Sequence, residues 1–330
     1  MSVETLEIIF NVTVYVFVFL FGVTIGSFLN VCILRLPKGE SLTASNSHCM
    51  TCGAEIKRYD LIPILSWLIL RGKCRSCGAK ISPRYMVVES LTGIMFVLCY
   101  TFFPAAQYQM YFVLLCLFIS GLIVLAFQDY DNQEMCVSVL IYTFIIAVLT
   151  HVLSYIKPNG GNALVIMPEG LKDCLIGAVS VSGVLLIVGF VLTPLAYILF
   201  LSQDHKDLRR LERALKAETN ERKRGQLTVK IEKTKAKIKE TGPVFGFGMG
   251  DVVVMAVGGL MLGWKAAVTA GITAIILGAA YAIYKAAVGS DDDEENAHRF
   301  AFGPFLIIGL VIGAFFGNDI VEAYLTYMML

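Results

Sequence analysis

Long apolar stretches separated by shorter polar segments dominate the sequence. Crossing a bilayer core takes about 20 mostly apolar residues. The chain offers about eight such stretches, near 8–34, 85–104, 109–128, 137–156, 172–201, 245–264, 266–286 and 300–317. This pattern predicts an all-α polytopic membrane protein with about eight transmembrane helices. The sixth stretch is the least regular, because Asp251 interrupts its apolar run.

Two larger polar segments interrupt this pattern. The first includes an apolar patch, Leu61–Leu70, that is too short to span and is expected to form a small core or an interfacial segment. The second is rich in Lys, Arg and Glu, and its apolar residues recur at helical spacing around a turn near Gly225. It is predicted to be a solvated helical hairpin. The expected divisions are a first transmembrane helix (1–34), a cysteine-containing loop (35–84), helices two to five (85–201), the charged hairpin (202–243) and helices six to eight (244–330).

Charge is scarce and unevenly distributed. Hydrophobic residues make up 57% of the chain and charged residues 16%, whereas soluble domains carry about a quarter charged residues. Of the 27 Lys and Arg residues, nine lie in 35–84, thirteen lie in 202–243, and two flank the acidic run at 291–295. The remaining three lie in segments that the predicted spans place on the opposite side of the membrane. The positive-inside rule then predicts that both large loops are cytoplasmic and both termini are outside. A net charge of +1 favours no nucleic-acid partner, and the absence of Lys or Arg before the first stretch argues against a cleaved signal peptide.

Four of the nine cysteines are paired within the first polar loop. The other five are scattered in or beside apolar stretches, where a small buried hydrophobic residue is the ordinary interpretation. The pairs are Cys49 with Cys52 and Cys74 with Cys77, separated by 21 residues, and a glycine follows each pair. Two residues between cysteines allow one turn to present both sulfurs to one ion, and two such turns complete a tetrahedron. The spacing predicts structural zinc, with a redox pair or free thiols as the alternatives.

Three aspartates lie at the ends of apolar stretches. A carboxylate at the bilayer centre costs about 2.5–3.5 kcal/mol on insertion scales. The presence of an aspartate near an apolar stretch therefore calls for a functional or structural explanation. Asp129 and Asp131 follow the third stretch, and Asp251 follows Gly248 and Gly250 early in the sixth. Topology places Asp129 and Asp251 at similar depth on the same side. Two close carboxylates share a proton and can act as an acid–base pair. From the residues alone, a catalytic dyad, an ion or proton pathway, and helix-end caps all remain open.

Several motifs occur together in a fixed order. They are the segment Gly26–Pro37 (GSFLNVCILRLP), the two cysteine pairs, Ile62–Leu68, Leu70–Cys74 (LRGKC), Ile81–Tyr85 with Glu89 and Thr92-Gly93 beyond, Asp129 opening an Asp-x-Asp pair, and Gly248-Met-Gly-Asp251. Together these motifs resemble the type IV prepilin peptidase family. Its members are bifunctional leader peptidases and N-methyltransferases of bacterial type IV pilus and type II secretion systems.

The resemblance implies a function and a set of site residues. Asp129 and Asp251 are expected to be the catalytic aspartates of a G-x-G-D peptidase, with Asp131, Gly248 and Gly250 in supporting positions. Cleavage after a Gly on the cytoplasmic side of a prepilin or pseudopilin is implied. Methylation of the new amino terminus with S-adenosylmethionine is implied as well. The expected location is the bacterial inner membrane, in contact with lipid, with the oligomeric state left open.

The sequence also departs from the family pattern. Met135-Cys136 stands where an Ile-Pro or Leu-Pro pair is usual, and Val253 where Lys is usual. Met50, Met86 and Leu61 replace other typical residues. Two alternatives are kept: a G-x-G-D peptidase without methyl transfer, and a proton- or cation-coupled transporter. The complete set of loop cysteines favours the bifunctional enzyme, and no internal repeat of the kind expected in a transporter is found.

Overall fold

The computed structural model describes most of the chain as helix. It covers residues 2–43, 47–156, 165, 167, 169–189, 208–216, 223–224, 227–232, 235, 248–288 and 301–329. Across these ranges the sheet-like features are two isolated β-bridges, both in the cysteine loop. The prediction of an all-α protein is confirmed.

The described α-helices include nine with defined bounds. They are α1 (Val3–Arg35), α2 (Leu65–Ile69), α3 (Arg84–Phe102), α4 (Ala105–Asn132), α5 (Val137–Tyr155), α6 (Leu171–Ile187), α7 (Met249–Leu262), α8 (Trp264–Val288) and α9 (Gly303–Met328). Two 3-10 turns, Leu36–Lys38 and Arg58–Leu61, lie in the first polar loop. The apolar patch of that loop therefore begins at the last residue of the second turn and contains the short α2, whose Leu65, Leu68 and Ile69 side chains are exposed.

Six of the described helices are long and apolar enough to cross a membrane. The qualifying segments are Val3–Lys38, Arg84–Phe102, Met110–Asn132, Val137–Tyr155, Trp264–Tyr281 and Gly303–Met328. The predicted stretches 172–201 and 245–264 correspond to α6 and α7. Of the former stretch, 190–201 lies outside the described residues, and α7 is a shorter apolar helix of 14 residues. The chain is a polytopic membrane protein, as predicted.

Helix α4 lies at the centre of this bundle. In its most apolar window 67% of the residues are buried inside the protein, against 11% to 39% for the other five candidate spans. Its fully buried side chains include Tyr111, Leu115, Phe118 and Leu125, and the helix contacts α1, α3, α5 and α9. Because lipid-facing helices need no protein partner on one side, this degree of burial places α4 inside the bundle.

Small residues bring neighbouring helices close together. A Cβ atom at Gly22 of α1 would lie 2.9 Å from the Cα of Gly93 in α3, and one at Gly26 would lie 2.8 Å from the Cα of Glu89. Gly313 of α9 packs in the same way on the backbone of Ala266 in α8. Membrane helices associate through such close backbone approach, because lipid removes the hydrophobic driving force.

The chain divides into two compact units, Met1–Val181 with Val253–Leu330, and Ser182–Val252. The second unit contains the charged segment predicted to be a hairpin. Its described segments 208–216 and 227–232 are helical. An ion pair of 3.1 Å joins Lys235 to Glu212, with both side chains about half exposed. The predicted turn residue Gly225 lies outside the described residues.

Candidate metal centre and active site

Two matching turns present the four loop cysteines. In each turn the N–H of the first cysteine donates to the carbonyl of the residue five positions later. The N–H of the glycine that follows the second cysteine donates to the carbonyl of the first cysteine. The glycines have φ of +69° and +73°, a left-handed conformation that suits a residue without Cβ. The bonds are Cys49 to Ala54 at 2.9 Å and Gly53 to Cys49 at 2.9 Å, then Cys74 to Ala79 at 2.8 Å and Gly78 to Cys74 at 2.9 Å.

The four cysteine sulfurs converge on one point. All of them lie within 4.8 Å of one another, and the Sγ atoms of Cys49 and Cys77 are 3.9 Å apart. A tetrahedral ion with bonds of about 2.3 Å to sulfur requires sulfur separations of about 3.8 Å. A disulfide would need about 2 Å. Backbone N–H groups of Cys52 and Thr51 lower the pKa of Cys49 to about 6, whereas the neighbouring cysteines raise the pKa of Cys77 to about 11 against a lowering hydrogen bond from the Ala79 backbone. The set fits one tetrahedral metal ion, which the spacing predicted.

An ion pair stabilises the loop that contains the two cysteine turns. Arg75 donates from Nε and Nη2 to the two carboxylate oxygens of Asp60, at 2.8 and 2.6 Å. The guanidinium also lies over the ring of Tyr59, 5.4 Å from its centre. This paired Arg75 holds the pKa of Asp60 below its usual range. Because Arg75 lies between Cys74 and Cys77, the pair ties the second cysteine turn to the Arg58–Leu61 turn.

The buried carboxylate of Glu89 joins this loop to the membrane helices. Glu89 lies in α3, is 8% exposed, and accepts a hydrogen bond of 2.7 Å from the backbone N–H of Ile64. Ile64 has φ of +61°, a strained conformation for a β-branched residue. The two helices are joined to each other by a hydrogen bond of 3.1 Å from the side chain of Asn30 in α1 to the carbonyl of Tyr85 in α3. The Glu89 bond therefore holds the loop against α3, which is itself tied to α1.

A cavity of about 600 Å³ lies between this loop and those helix ends. Small-molecule sites commonly measure about 300–1,000 Å³ and combine apolar walls with a few polar groups. The lining includes Asn30 and Arg35 from α1, Asp60 and Trp67 from the loop, and Tyr85 and Glu89 from α3. Its size and mixed lining suit a small organic ligand.

Asp129 lies one turn before the end of α4 and is 8% exposed. Its Oδ2 accepts a hydrogen bond of 3.0 Å from the backbone N–H of Gly303, the first residue of α9. The carboxyl end of a helix is an unfavourable place for a carboxylate, whereas the amino end of another helix favours it. The start of α9 therefore offsets the unfavourable end of α4.

A buried glutamine organises the connection that follows. Gln128 is fully buried, and its Oε1 accepts the N–H of Cys136 at 3.2 Å. Cys136 is the N-cap of α5. The family pattern places a proline at this position, and proline has no N–H. Replacing proline with Cys136 adds a donor, and Gln128 satisfies it.

Asp131 has a different environment from Asp129. It forms an ion pair of 2.5 Å with Arg84, and both side chains are about a quarter exposed. Arg84 is the first residue of α3, and its guanidinium lies over the ring of Phe127 in α4. The two aspartates face different surroundings, as their spacing of two residues predicts. Asp131 joins the ends of α3 and α4.

Asp251 lies in the first turn of α7 and is 6% exposed. Its Oδ2 accepts a hydrogen bond of 3.1 Å from the backbone N–H of Gly248, just before the helix. This is the backward bond of a capping box, which satisfies a free donor at the helix start. A Cβ at Gly248 would meet this oxygen at 3.7 Å, an ordinary contact. Asp129 belongs to the first unit and Asp251 to the second, so their pairing as a dyad stays a prediction.

Two family models match the chain. The bacterial peptidase A24 N-terminal domain matches residues 20–103, which include all four loop cysteines. The type IV leader peptidase family matches residues 116–283, more than half of the 330 residues. The chain belongs to the type IV leader peptidase family. The resemblance inferred from the motifs is thereby confirmed.

Curated proteins similar to this chain have names that refer to prepilin processing. A prepilin leader peptidase/N-methyltransferase of Myxococcus xanthus is 44% identical over 117 residues, 36% of this chain and 34% of the relative. A type 4 prepilin-like proteins leader peptide-processing enzyme of Escherichia coli O78:H11 is 39% identical over 130 residues, 34% of this chain and 47% of the relative. The chain therefore spans about a third to about a half of the length of the curated relatives it matches. No solved structure matches significantly.

The sequence predicted no role for three residues of the site, although Arg84 lies within the motif Ile81–Tyr85. Gly303 contacts Asp129, Arg84 pairs with Asp131, and Gln128 caps the turn after α4. The Gly-Pro pair at 303–304 indicates a helix start. Nothing in the local pattern links that start to a carboxylate 174 residues earlier.

Proposed function

We propose that this protein is an intramembrane aspartic endopeptidase that removes the leader of type IV prepilins or pseudopilins after a Gly. The observation that supports it is family membership over 116–283, a range that holds both Asp129 and Asp251. Both carboxylates are buried, and each accepts a backbone N–H at a helix start. Buried carboxylates in membrane helices are costly and indicate a functional site.

Peptide hydrolysis follows from two carboxylates that share a proton. The ionised aspartate takes a proton from water, whose oxygen attacks the scissile carbonyl carbon. The protonated aspartate donates to the carbonyl oxygen, and a proton then passes to the leaving nitrogen as the C–N bond breaks. Asp129 and Asp251 are the residues we assign to these roles. Gly248 and Gly250 support Asp251, and Asp131 supports the end of α4.

The proposed topology follows from the charge distribution. Both large polar loops lie in the cytoplasm and both termini outside, in the inner membrane of a bacterium. Asp129 then lies near the cytoplasmic end of α4. The substrate is the hydrophobic helix of a prepilin, cut on the cytoplasmic side.

Methylation of the new amino terminus is the proposed second activity. The names of the relatives include N-methyltransferase, and the cavity beside the cysteine loop has a volume suited to S-adenosylmethionine. S-adenosylmethionine bound there would supply the methyl group, which the new amino terminus would take up with loss of a proton. The cavity wall contains acidic and basic side chains, among them the buried Glu89 and Asp60, whose carboxylate is paired with Arg75.

Zinc is the metal we propose for the four cysteines. Four thiolates at these separations fill every position of a tetrahedral ion. The ion then holds the loop together and leaves no open position for chemistry. Its place is structural, beside the cavity.

Mass spectrometry of a prepilin tests both activities. The prepilin is incubated with membranes containing this protein, with and without S-adenosylmethionine. Loss of the leader supports the peptidase, and a gain of one methylene mass supports the methyltransferase. A pre-cleaved prepilin supplied to the Asp251→Asn variant measures methylation separately.

Each other outcome has a clear meaning. Cleavage without methylation on either substrate favours a G-x-G-D peptidase without methyl transfer. Failure to cleave any prepilin, with proton or cation flux that depends on Asp251, favours the transporter.

A further inference from the structure

The amide of Gly303 is the contact that links the last helix to Asp129. Its N–H donates to Oδ2 of Asp129 at 3.0 Å in a buried position. Gly303 opens α9 and lies outside the 116–283 segment matched by the peptidase family model. A segment beyond the matched region therefore contributes to the environment of the candidate catalytic carboxylate.

Space around Gly303 admits no side chain. A Cβ there would lie 2.5 Å from Oδ2 and 2.9 Å from Cγ of Asp129, and 2.5 Å from Cε of Met135. Real Cβ atoms essentially never approach other heavy atoms within 3.0 Å. The methionine end can move, because it is flexible. A shift of the carboxylate away from this Cβ would lengthen its hydrogen bond from the Gly303 N–H.

Asp129 needs this donor for an electrostatic reason. It lies in the last turn of α4, where the free carbonyls carry partial negative charge. The start of α9 supplies partial positive charge and an oriented N–H. A carboxylate that activates water must be ionised and held in one orientation, and a misplacement of about 1 Å can cost about 100-fold in rate.

We propose that Gly303 is a positioning residue for the peptidase reaction, which holds the Asp129 carboxylate through its amide and through its lack of a side chain. This inference rests on the proposed peptidase function. Gly303 touches neither water nor substrate in this role and acts through Asp129.

The first test is a stability cycle that does not depend on activity. Gly303→Ala, Asp129→Ala and the double variant are compared with the native protein by thermal unfolding in detergent. We expect Gly303→Ala to lower Tm in the native background and to lower it much less when Asp129→Ala has removed the carboxylate. A Gly303→Ala chain that folds only in the Asp129→Ala background supports the inference as well. Equal losses in both backgrounds, or unfolding in both, would overturn it.

The second test is the pH profile of prepilin cleavage. Gly303→Ala is expected to reduce the rate by about 100-fold at neutral pH. It is also expected to move the acid limb of the profile to higher pH, because the ionised carboxylate has lost a donor. Gly317→Ala is the matched control. It is the same substitution in the same helix, where a Cβ would press on the Cα of Ala266 at 2.9 Å. It should lower Tm and leave the profile in place.

The outcomes separate the inference from the function. Cleavage by the native protein together with an unshifted profile for Gly303→Ala overturns the role of Gly303 and leaves the peptidase standing. Absence of cleavage by the native protein, together with strong coupling in the stability cycle, removes the peptidase and retains the Gly303–Asp129 contact. In that case the contact no longer positions a catalytic group, and the inference falls with the function.

Discussion

The cysteine loop and the carboxylate region assemble their functional groups in different ways. The four sulfurs come from two local turns with the same hydrogen bonds and the same glycine conformation. Asp129 instead depends on a backbone amide 174 residues away. Asp251 depends on the cap of its own helix and belongs to the other compact unit. Short-range geometry determines where the four sulfurs lie, whereas the environment of Asp129 depends on the packing of helix ends that are distant in sequence.

This difference predicts which changes stay local. A metal site built from two short turns should fail or survive as a unit, with little effect on distant carboxylates. A carboxylate site built from helix ends should respond to changes in elements far away in sequence.

Replacing either catalytic candidate with its amide should remove nearly all cleavage. Asp129→Asn and Asp251→Asn each take away the ionisable oxygen, and neither half of a dyad works alone. We expect the rate to fall by at least about 1,000-fold, measured by mass spectrometry of a prepilin. Metal content should stay unchanged, because the cysteine loop is independent.

Asp131→Asn is the matched control in the same turn. It should retain a measurable rate, because its partner is Arg84 and not the substrate. Normal cleavage by Asp129→Asn would remove that residue from the mechanism. Loss of metal in the same variant would show that the two regions are coupled.

The sequence predicted the metal site more completely than the carboxylate site. Two C-x-x-C pairs define four candidate ligands through local spacing, and their sulfurs lie close enough together to hold one metal ion. Apolar runs likewise predicted the membrane helices, since length and hydropathy are local properties. The roles of Gly303 and Arg84 were not predicted, because they depend on which helix ends pack together. Hydrophobic pattern does not encode that packing.

The second prediction concerns the metal. Cys52→Ser should lose most of the bound zinc, because a hydroxyl is a poor replacement for a thiolate. Elemental analysis of the purified protein measures this directly. Cys136→Ser is the control, since Cys136 lies outside the cluster and serine is a good N-cap.

The cleavage rate of the Cys52→Ser variant tests whether the cysteine loop and the carboxylate region are independent. We expect a partial loss of rate, because the loop is held to α3 by the hydrogen bond from Ile64 to Glu89. A loss as complete as that of Asp129→Asn would contradict the independence of the two regions. Unchanged metal content would contradict the four-cysteine site itself.

The third prediction compares two ion pairs. The Arg84–Asp131 pair joins the ends of α3 and α4, and both side chains are mostly buried. Lys265 and Glu322 join α8 and α9 at 2.8 Å, and the glutamate is 65% exposed. Asp131→Asn should cost about 2 kcal/mol of unfolding free energy, because it leaves a buried guanidinium under-paired. Glu322→Gln should cost about 0.5 kcal/mol and less in high salt.

A double-mutant cycle that combines Asp131→Asn with Arg84→Gln measures the interaction energy of the Arg84–Asp131 pair. Chemical unfolding in detergent supplies the four free energies. A coupling energy near zero would show that the pair does not hold the helix ends. Asp129 would then be positioned without it.

The smallest expected effects test whether the two cysteine turns are equivalent. Gly53 and Gly78 both have positive φ, and no heavy atom of the described residues lies within 4 Å of a Cβ built at either. Alanine at each position should therefore cost only the left-handed backbone conformation, about 1 kcal/mol. Since metal binding and loop folding are linked, zinc affinity should fall about 5- to 10-fold in each variant. Gly72→Ala is the contrast, because its Cβ would also meet Cζ2 of Trp67 at 2.8 Å.

Competition with a coloured chelator at fixed pH measures the three affinities. Equal losses for Gly53→Ala and Gly78→Ala, with a larger loss for Gly72→Ala, support two matching turns that share one ion. If one turn tolerates alanine and the other does not, the ion is held mainly by the sensitive pair. The short-range symmetry that distinguishes this loop from the carboxylate region would then be a property of the backbone and not of the metal site.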